Sequence, residues 1–187
     1  GRIDTMVAIS MLPRHLASPR AGHLEEAFRI FAYLKARNRS SVAFDPATPA
    51  FDPTRFVKCD WSEHHPGASE PAPPRAPELL GEPMSMTCFV DADHAGCRET
   101  RRSHTGVLIF LQKTPIVWHP KWQNTVESSS FGSEFVAMKT AIEIVEGLHC
   151  KLHMMGIPVD GPTSALCGNE SVFKNATRPE SVLKKKH

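Results

Sequence analysis

Three acidic residues are the ones whose types and spacing could do chemistry. Asp91 and Asp93 stand one alanine apart in Cys-Phe-Val-Asp-Ala-Asp-His-Ala-Gly, residues 88–96, and Glu134 lies in Ser-Ser-Ser-Phe-Gly-Ser-Glu-Phe, residues 128–135. The apolar run Met86 to Val90 reads as a buried strand that delivers carboxylates at its C-terminal end. Residues two apart on a strand share a face, so Asp91 and Asp93 would repel unless a cation lay between them. A hard divalent cation such as Mg²⁺ takes oxygen ligands of this kind. The plainer reading is a polar turn closed by Gly96, because aspartate is a common turn residue, and the tripeptide alone favours that turn. Glu134 is balanced in the same way. It either points to the sheet edge where Asp91 ends, or is an N-terminal glutamate favoured by the helix dipole.

The elements that must position these residues follow in order. After the first strand come the polar turn Arg98 to Ser103, a strand Thr105 to Leu111, and a third strand Pro115 to Trp118. A long helix starts near Ser128 to Ser130, which are good N-cap residues. Phe135, Met138, Ile142, Val145 and Leu148 or His149 recur along it at helical spacing, Lys139 and Glu143 form a solvated pair, and Gly147 and Gly156 break the pattern near its end. A short strand, Ser164 to Cys167, closes the series. The expected architecture is α/β: an antiparallel meander, a helix and a further strand in one mixed sheet. His149, Cys150 and His153 cluster without a third spaced ligand and read as surface and packing residues.

The segments Val90 to Gly96, Arg101 to Gly106, Pro115 to Trp118 and Ser128 to Met138 together resemble the ribonuclease H domain of copia-type LTR-retrotransposon polyproteins, in family order and at about family spacing. The resemblance covers residues 86 to 187, and residues 1 to 45 look more weakly like the segment joining reverse transcriptase to that domain. It implies a ribonuclease H-like mixed sheet and two-metal hydrolysis of RNA in RNA–DNA hybrids, with Mg²⁺, or Mn²⁺ in its place, held by about four acids. Asp91 matches the first acid and Glu134 the second, with Asp93 in a supporting role. The third is expected in a Cys/Gly-Asp-Asn pattern. This chain reads Cys167-Gly168-Asn169, so Gly168 stands where the acid belongs, and Glu170 is the nearby carboxylate that would have to reach back. The fourth acid, a final helix and a fifth strand are expected after Lys186-His187. The resemblance therefore implies an incomplete domain, weakened metal binding and lost cleavage. The implied partners are the hybrid and the rest of the Pol polyprotein, with no small-molecule cofactor. Arg101, Arg102, Lys121 and Lys185 are the candidate nucleic-acid contacts, with Gln123 beside Lys121, and Trp118 and Trp122 could stack on bases, though a core role suits Trp118 better. Solvated charge is the plainer account of each cation. A non-catalytic nucleic-acid-binding module and a vestigial fragment are the alternatives to an enzyme.

The net charge of +2 is too small to argue for nucleic acid by itself. The five cysteines are odd in number and lack C-x-x-C spacing, which argues against a disulfide framework or zinc ribbon and fits a reducing compartment. No apolar run is long enough to span a bilayer and no N-terminal signal pattern is visible, so the expected location is intracellular, cytoplasm or nucleus.

Upstream, residues 3 to 12 read as a short helix that Pro13 ends or kinks. A second helix runs from about His23 to Ala36, with Leu24, Ala27, Phe28, Phe31 and Leu34 as one apolar stripe. Ser41 to Phe44 is a strand candidate. Nine prolines between Pro46 and Pro83 mark residues 46–85 as a linker, with local order around Phe56 to Trp61.

Overall fold

The computed structural model describes residues 2–51 and 62–178. The order expected around Phe56 to Trp61 and the candidate contact Lys185 lie outside the described residues. A 3₁₀ turn, Ile3–Thr5, leads into α1 (Met6–Met11), and Pro13 falls in a second 3₁₀ turn, Leu12–His15, where the α-helix has ended. Helix α2 spans Ala21–Ala36. Then follow β1 (Met86–Asp93), β2 (His104–Leu111), β3 (Thr114–Trp122), α3 (Ser130–Met154), β4 (Ser164–Cys167) and α4 (Glu170–Thr177).

The four strands form one mixed sheet in the order β3-β2-β1-β4. The pairs β1–β2 and β2–β3 are antiparallel, and β1–β4 is parallel, as a helical crossover between them requires. The protein is thus α/β. Strand β3 lies at the edge, which explains how it extends through Pro115 and Pro120: an edge strand has one side on which a missing N–H costs no ladder bond.

Alternation sorts the side chains to two faces. Met86, Cys88 and Val90 of β1 and Val107 and Ile109 of β2 point to one face, where α3 covers them. Ala137 and Ala141 of α3 are fully buried against this face, and their small side chains let the helix approach closely. Leu152 closes one end of the core, and Val172 brings α4 onto it. The other face carries Phe89, Leu108, Trp118 and Leu166. The N-terminal segment lies over it. Ile3, Met6 and Val7 form one wall of an apolar cleft of about 580 Å³ whose floor is those sheet residues and whose rim includes Asp91 and Gly168. Ser10 Oγ bonds to His104 Nε2 at 2.9 Å, and the Arg14 guanidinium stacks 4.9 Å from the centre of the Trp122 ring.

Four expectations change. Ser41 to Phe44 forms no strand; Phe44 is exposed, and the next residue, Asp45, exchanges hydrogen bonds with Thr114 instead. The α2 stripe is split: Ala27 and Leu34 are half-buried while Leu24, Phe28 and Phe31 face outward, because the helix packs through His23, Ala27, Ile30 and Leu34. Gly147 sits inside α3 without breaking it, and the helix ends at Met154, two residues before Gly156, which has a φ of +75°. The sequence reading also passed over α4, which Asn169 caps by accepting from the amides of Ser171 and Val172.

Candidate active site

Strand β4 ends at Cys167, opposite Val90. Beyond that point β1 has β2 on one side and, among the described residues, no strand on the other, so the stretch from Asp91 to Asp93 is an edge there. Helix α3 brings Glu134 to this edge. Its N-terminus is fixed by Ser129, whose hydroxyl accepts from the Gly132 amide at 3.1 Å. Glu134 therefore lies in the first turns of the helix, where its carboxylate meets that of Asp91 and the backbone amide of Ala92. Burial, the charge of Asp91 and a hydrogen bond with Asp91 raise the Glu134 pKa, against the pull of the Ala92 amide. Glu134 Oε2 is buried and has no hydrogen-bond partner among the described residues. The thiol of Cys167 is raised by burial, with the charges of Glu134 and Asp91 adding to it.

Asp93 does something else. Its carboxylate packs over the Gly96 backbone so closely that any β-carbon there would collide with it. It also stands across from His104 in the β1–β2 register. The expected pairing of Asp91 with Asp93 is replaced: Asp93 packs on the Gly96 turn, and it is the carboxylate of Glu134 that lies beside Asp91. Glu170, in the first turn of α4, is exposed and ion-paired with Lys174. Gly168 borders the same cleft as Asp91, and a β-carbon built on it meets nothing within 4 Å. Among the described residues, no group of three or more His, Cys, Asp or Glu is placed to hold a metal ion.

The basic candidates Arg101, Arg102 and Lys121 are exposed. Arg101 sits in the 94–103 loop with φ +58°, its amide donating to the Cys97 carbonyl. Trp118 is half-buried in the cleft floor, and Trp122 has the Arg14 guanidinium over its ring and an edge-on contact with His104. Gln123 is corrected from a surface contact to a buried one, 4% exposed. Its Nε2 donates to Thr105 Oγ1 at 3.1 Å and to the Ser133 carbonyl at 2.8 Å. Sequence reasoning missed this role because a glutamine just past a strand looks like solvent-facing polarity. His149 likewise is buried, bridging Glu70 at 2.7 Å and Thr163 at 2.8 Å.

No family model matches the chain, and no solved structure matches it. Over 62 residues, 33% of its length, the chain is 44% identical to the uncharacterized mitochondrial protein AtMg00810 of Arabidopsis thaliana, covering 26% of that protein. Over 186 residues it is 26% identical to the retrovirus-related Pol polyprotein from transposon RE1 of Arabidopsis thaliana; the match takes in 100% of this chain and 10% of the polyprotein. It is also 25% identical over 142 residues to the secreted RxLR effector protein 161 of Plasmopara viticola, with 76% of each chain covered. Its relatives thus include retrotransposon Pol polyproteins at low identity, and the chain spans about a tenth of the length of one of them. Among the described residues no helix is long and apolar enough to cross a membrane.

Proposed function

We propose that this chain derives from the ribonuclease H part of a retrotransposon Pol polyprotein, and that its hydrolytic site has been lost at Gly168. One observation carries the reading. Asp91 and Glu134, far apart in sequence, meet at the C-terminal end of β1 beside the residue where a third acid would stand. The four-strand mixed sheet with a helix on one face is compatible with a ribonuclease H-like fold.

The pair fits a hard cation. Both ligands are carboxylates, and the buried Glu134 Oε2 lacks the partner that an ion would provide. Asp91 and Glu134 would hold one Mg²⁺ or Mn²⁺, and the Ala92 amide helps to orient the glutamate. A bound ion would supply charge stabilisation for in-line displacement at a phosphodiester. With Gly168 in place, the protein contributes two carboxylates to that task. Pre-organised placement within a fraction of an ångström is what such chemistry needs. Arg101, Arg102 and Lys121 are the cations through which an RNA–DNA hybrid would be held, and the rest of a Pol polyprotein would be the chain's natural neighbour.

The test is cleavage of a labelled RNA–DNA hybrid in Mg²⁺ and in Mn²⁺ by the parent, Asp91→Asn and Gly168→Asp. The expected result is no cleavage by the parent or Asp91→Asn, and measurable cleavage by Gly168→Asp. Parent cleavage that Asp91→Asn abolishes would overturn the inactive reading. Salt-dependent hybrid binding without cleavage in any variant would favour a binding module.

A further inference from the structure

We infer that Gln123 is the positioning residue of the Asp91–Glu134 pair, tying the first turns of α3 to the sheet through its side-chain amide; the inference rests on the reading of that pair as a metal site. The residue follows directly on β3, and its own backbone amide donates to the Ser103 carbonyl at 2.9 Å, which anchors it. The Ser133 carbonyl can only accept, so the amide nitrogen must face it, and the orientation of the side chain follows from that. The second bond, to Thr105 Oγ1, reaches β2.

These contacts close a ring. Thr105 stands opposite Ala92 in the β1–β2 register. Ala92 follows Asp91 and offers its amide to Glu134, and Glu134 follows Ser133. Gln123 is thus the cross-brace between the two chain segments that carry the carboxylates. Its Oε1 is buried and makes no hydrogen bond among the described residues, so the contribution of the side chain lies in its two donated protons. The Ser133 side chain is not part of the brace, since its hydroxyl donates within the helix to Ser130.

The experiment compares the parent with Gln123→Met, similar in length but without donors, and with Ile109→Val, which removes core volume away from the brace. Mn²⁺ alone is titrated by electron paramagnetic resonance, and amide hydrogen exchange is read along the whole chain. Gln123→Met should weaken Mn²⁺ binding about tenfold, as loss of a ligand's supporting contact does. It should speed exchange in the first turns of α3 while leaving β1 and β2 protected. Ile109→Val should leave Mn²⁺ affinity unchanged. If the parent binds no Mn²⁺, the metal reading fails, and exchange in α3 decides the brace by itself. Parent-like exchange in Gln123→Met, or an Ile109→Val chain that loses Mn²⁺ to the same extent, would overturn the inference.

Discussion

Val90 pairs with Cys167 as the last pair of the parallel β1–β4 ladder, so Asp91, still paired with β2, and Gly168, just past β4, come next along the two chains and border one cleft. The Gly168 backbone has no steric need for glycine: it has no positive φ, and its β-carbon would meet open space. Gly168→Asp should therefore fold and add a third carboxylate to the rim. Mn²⁺ affinity measured by calorimetry should rise at least about tenfold, roughly 1.4 kcal/mol. Without metal, the same variant should melt at a lower temperature at pH 7 than at pH 4, because three carboxylates then share one opening.

The Glu134 carboxyl gives a pH signature of the pair. Its raised pKa means that the folded chain keeps a proton that the unfolded chain has released. Stability conferred by the protonated form is present below the ordinary value of 4.5 and is lost as pH climbs through the folded value. Glu134→Gln should therefore be more stable than the parent in urea melts at pH 7 without metal. At pH 3, with both chains neutral at this position, the difference should vanish. Added Mg²⁺ should narrow the gap at pH 7 by stabilising only the parent.

His104 has the opposite sign. Burial lowers its pKa, Asp93 opposes this, and Arg14 adds to the lowering. Stability linked to neutral His104 is fully present above the ordinary value of 6.5 and is lost as pH falls through that value towards the folded one. Because His104 holds Ser10, the loss should be felt first in the N-terminal segment. Amide exchange in residues 6–15, taken relative to the intrinsic rate at each pH, should speed up between pH 7 and pH 5.5, more than in β2. Ser10→Ala should speed it at both pH values.

Two substitutions test the core and the last helix. Ile109 is completely buried between α3 and the sheet, so Ile109→Ala should cost about 3 kcal/mol in chemical denaturation. Asn169 caps α4 with two accepted bonds, and Asn169→Ala should cost about 1 kcal/mol. A smaller loss at Asn169 would mean that Val172, not the cap, keeps α4 in place.

Much of the positioning was legible in the residues. The Met86 to Val90 run and the serines before Phe131 place Asp91 at a strand end and Glu134 in the first turns of a helix, because burial and capping are local signals. What local signals do not carry is which polar residue goes inside. Gln123 is buried because β3 hands it directly beneath α3, and nothing in its immediate sequence says so. The α2 stripe misled for a related reason. Periodicity shows that Leu24, Phe28 and Phe31 share a side, but which side meets the sheet depends on how the segment before it docks. Helix α4 was missed because its one turn-setting residue, Asn169, was read as part of a motif and not as a cap.

The N-terminal segment resting on the sheet has an evolutionary consequence. Residues 2–15 touch β3 through Arg14 and Trp122, so the proline-rich stretch between them joins parts of the chain that are already in contact. Closing a loop costs only about 0.6 kcal/mol more for each doubling of its length. Changes of length in that stretch cost the fold little as long as the bonds of Glu70 to His149 and of Leu80 to Gly156 are kept, whereas a change at Gln123 or Ile109 does not. Mutations in this gene should therefore be tolerated unevenly, with that stretch diverging between its anchored residues while Glu70, Leu80 and Met84 and the pieces it joins keep their fit.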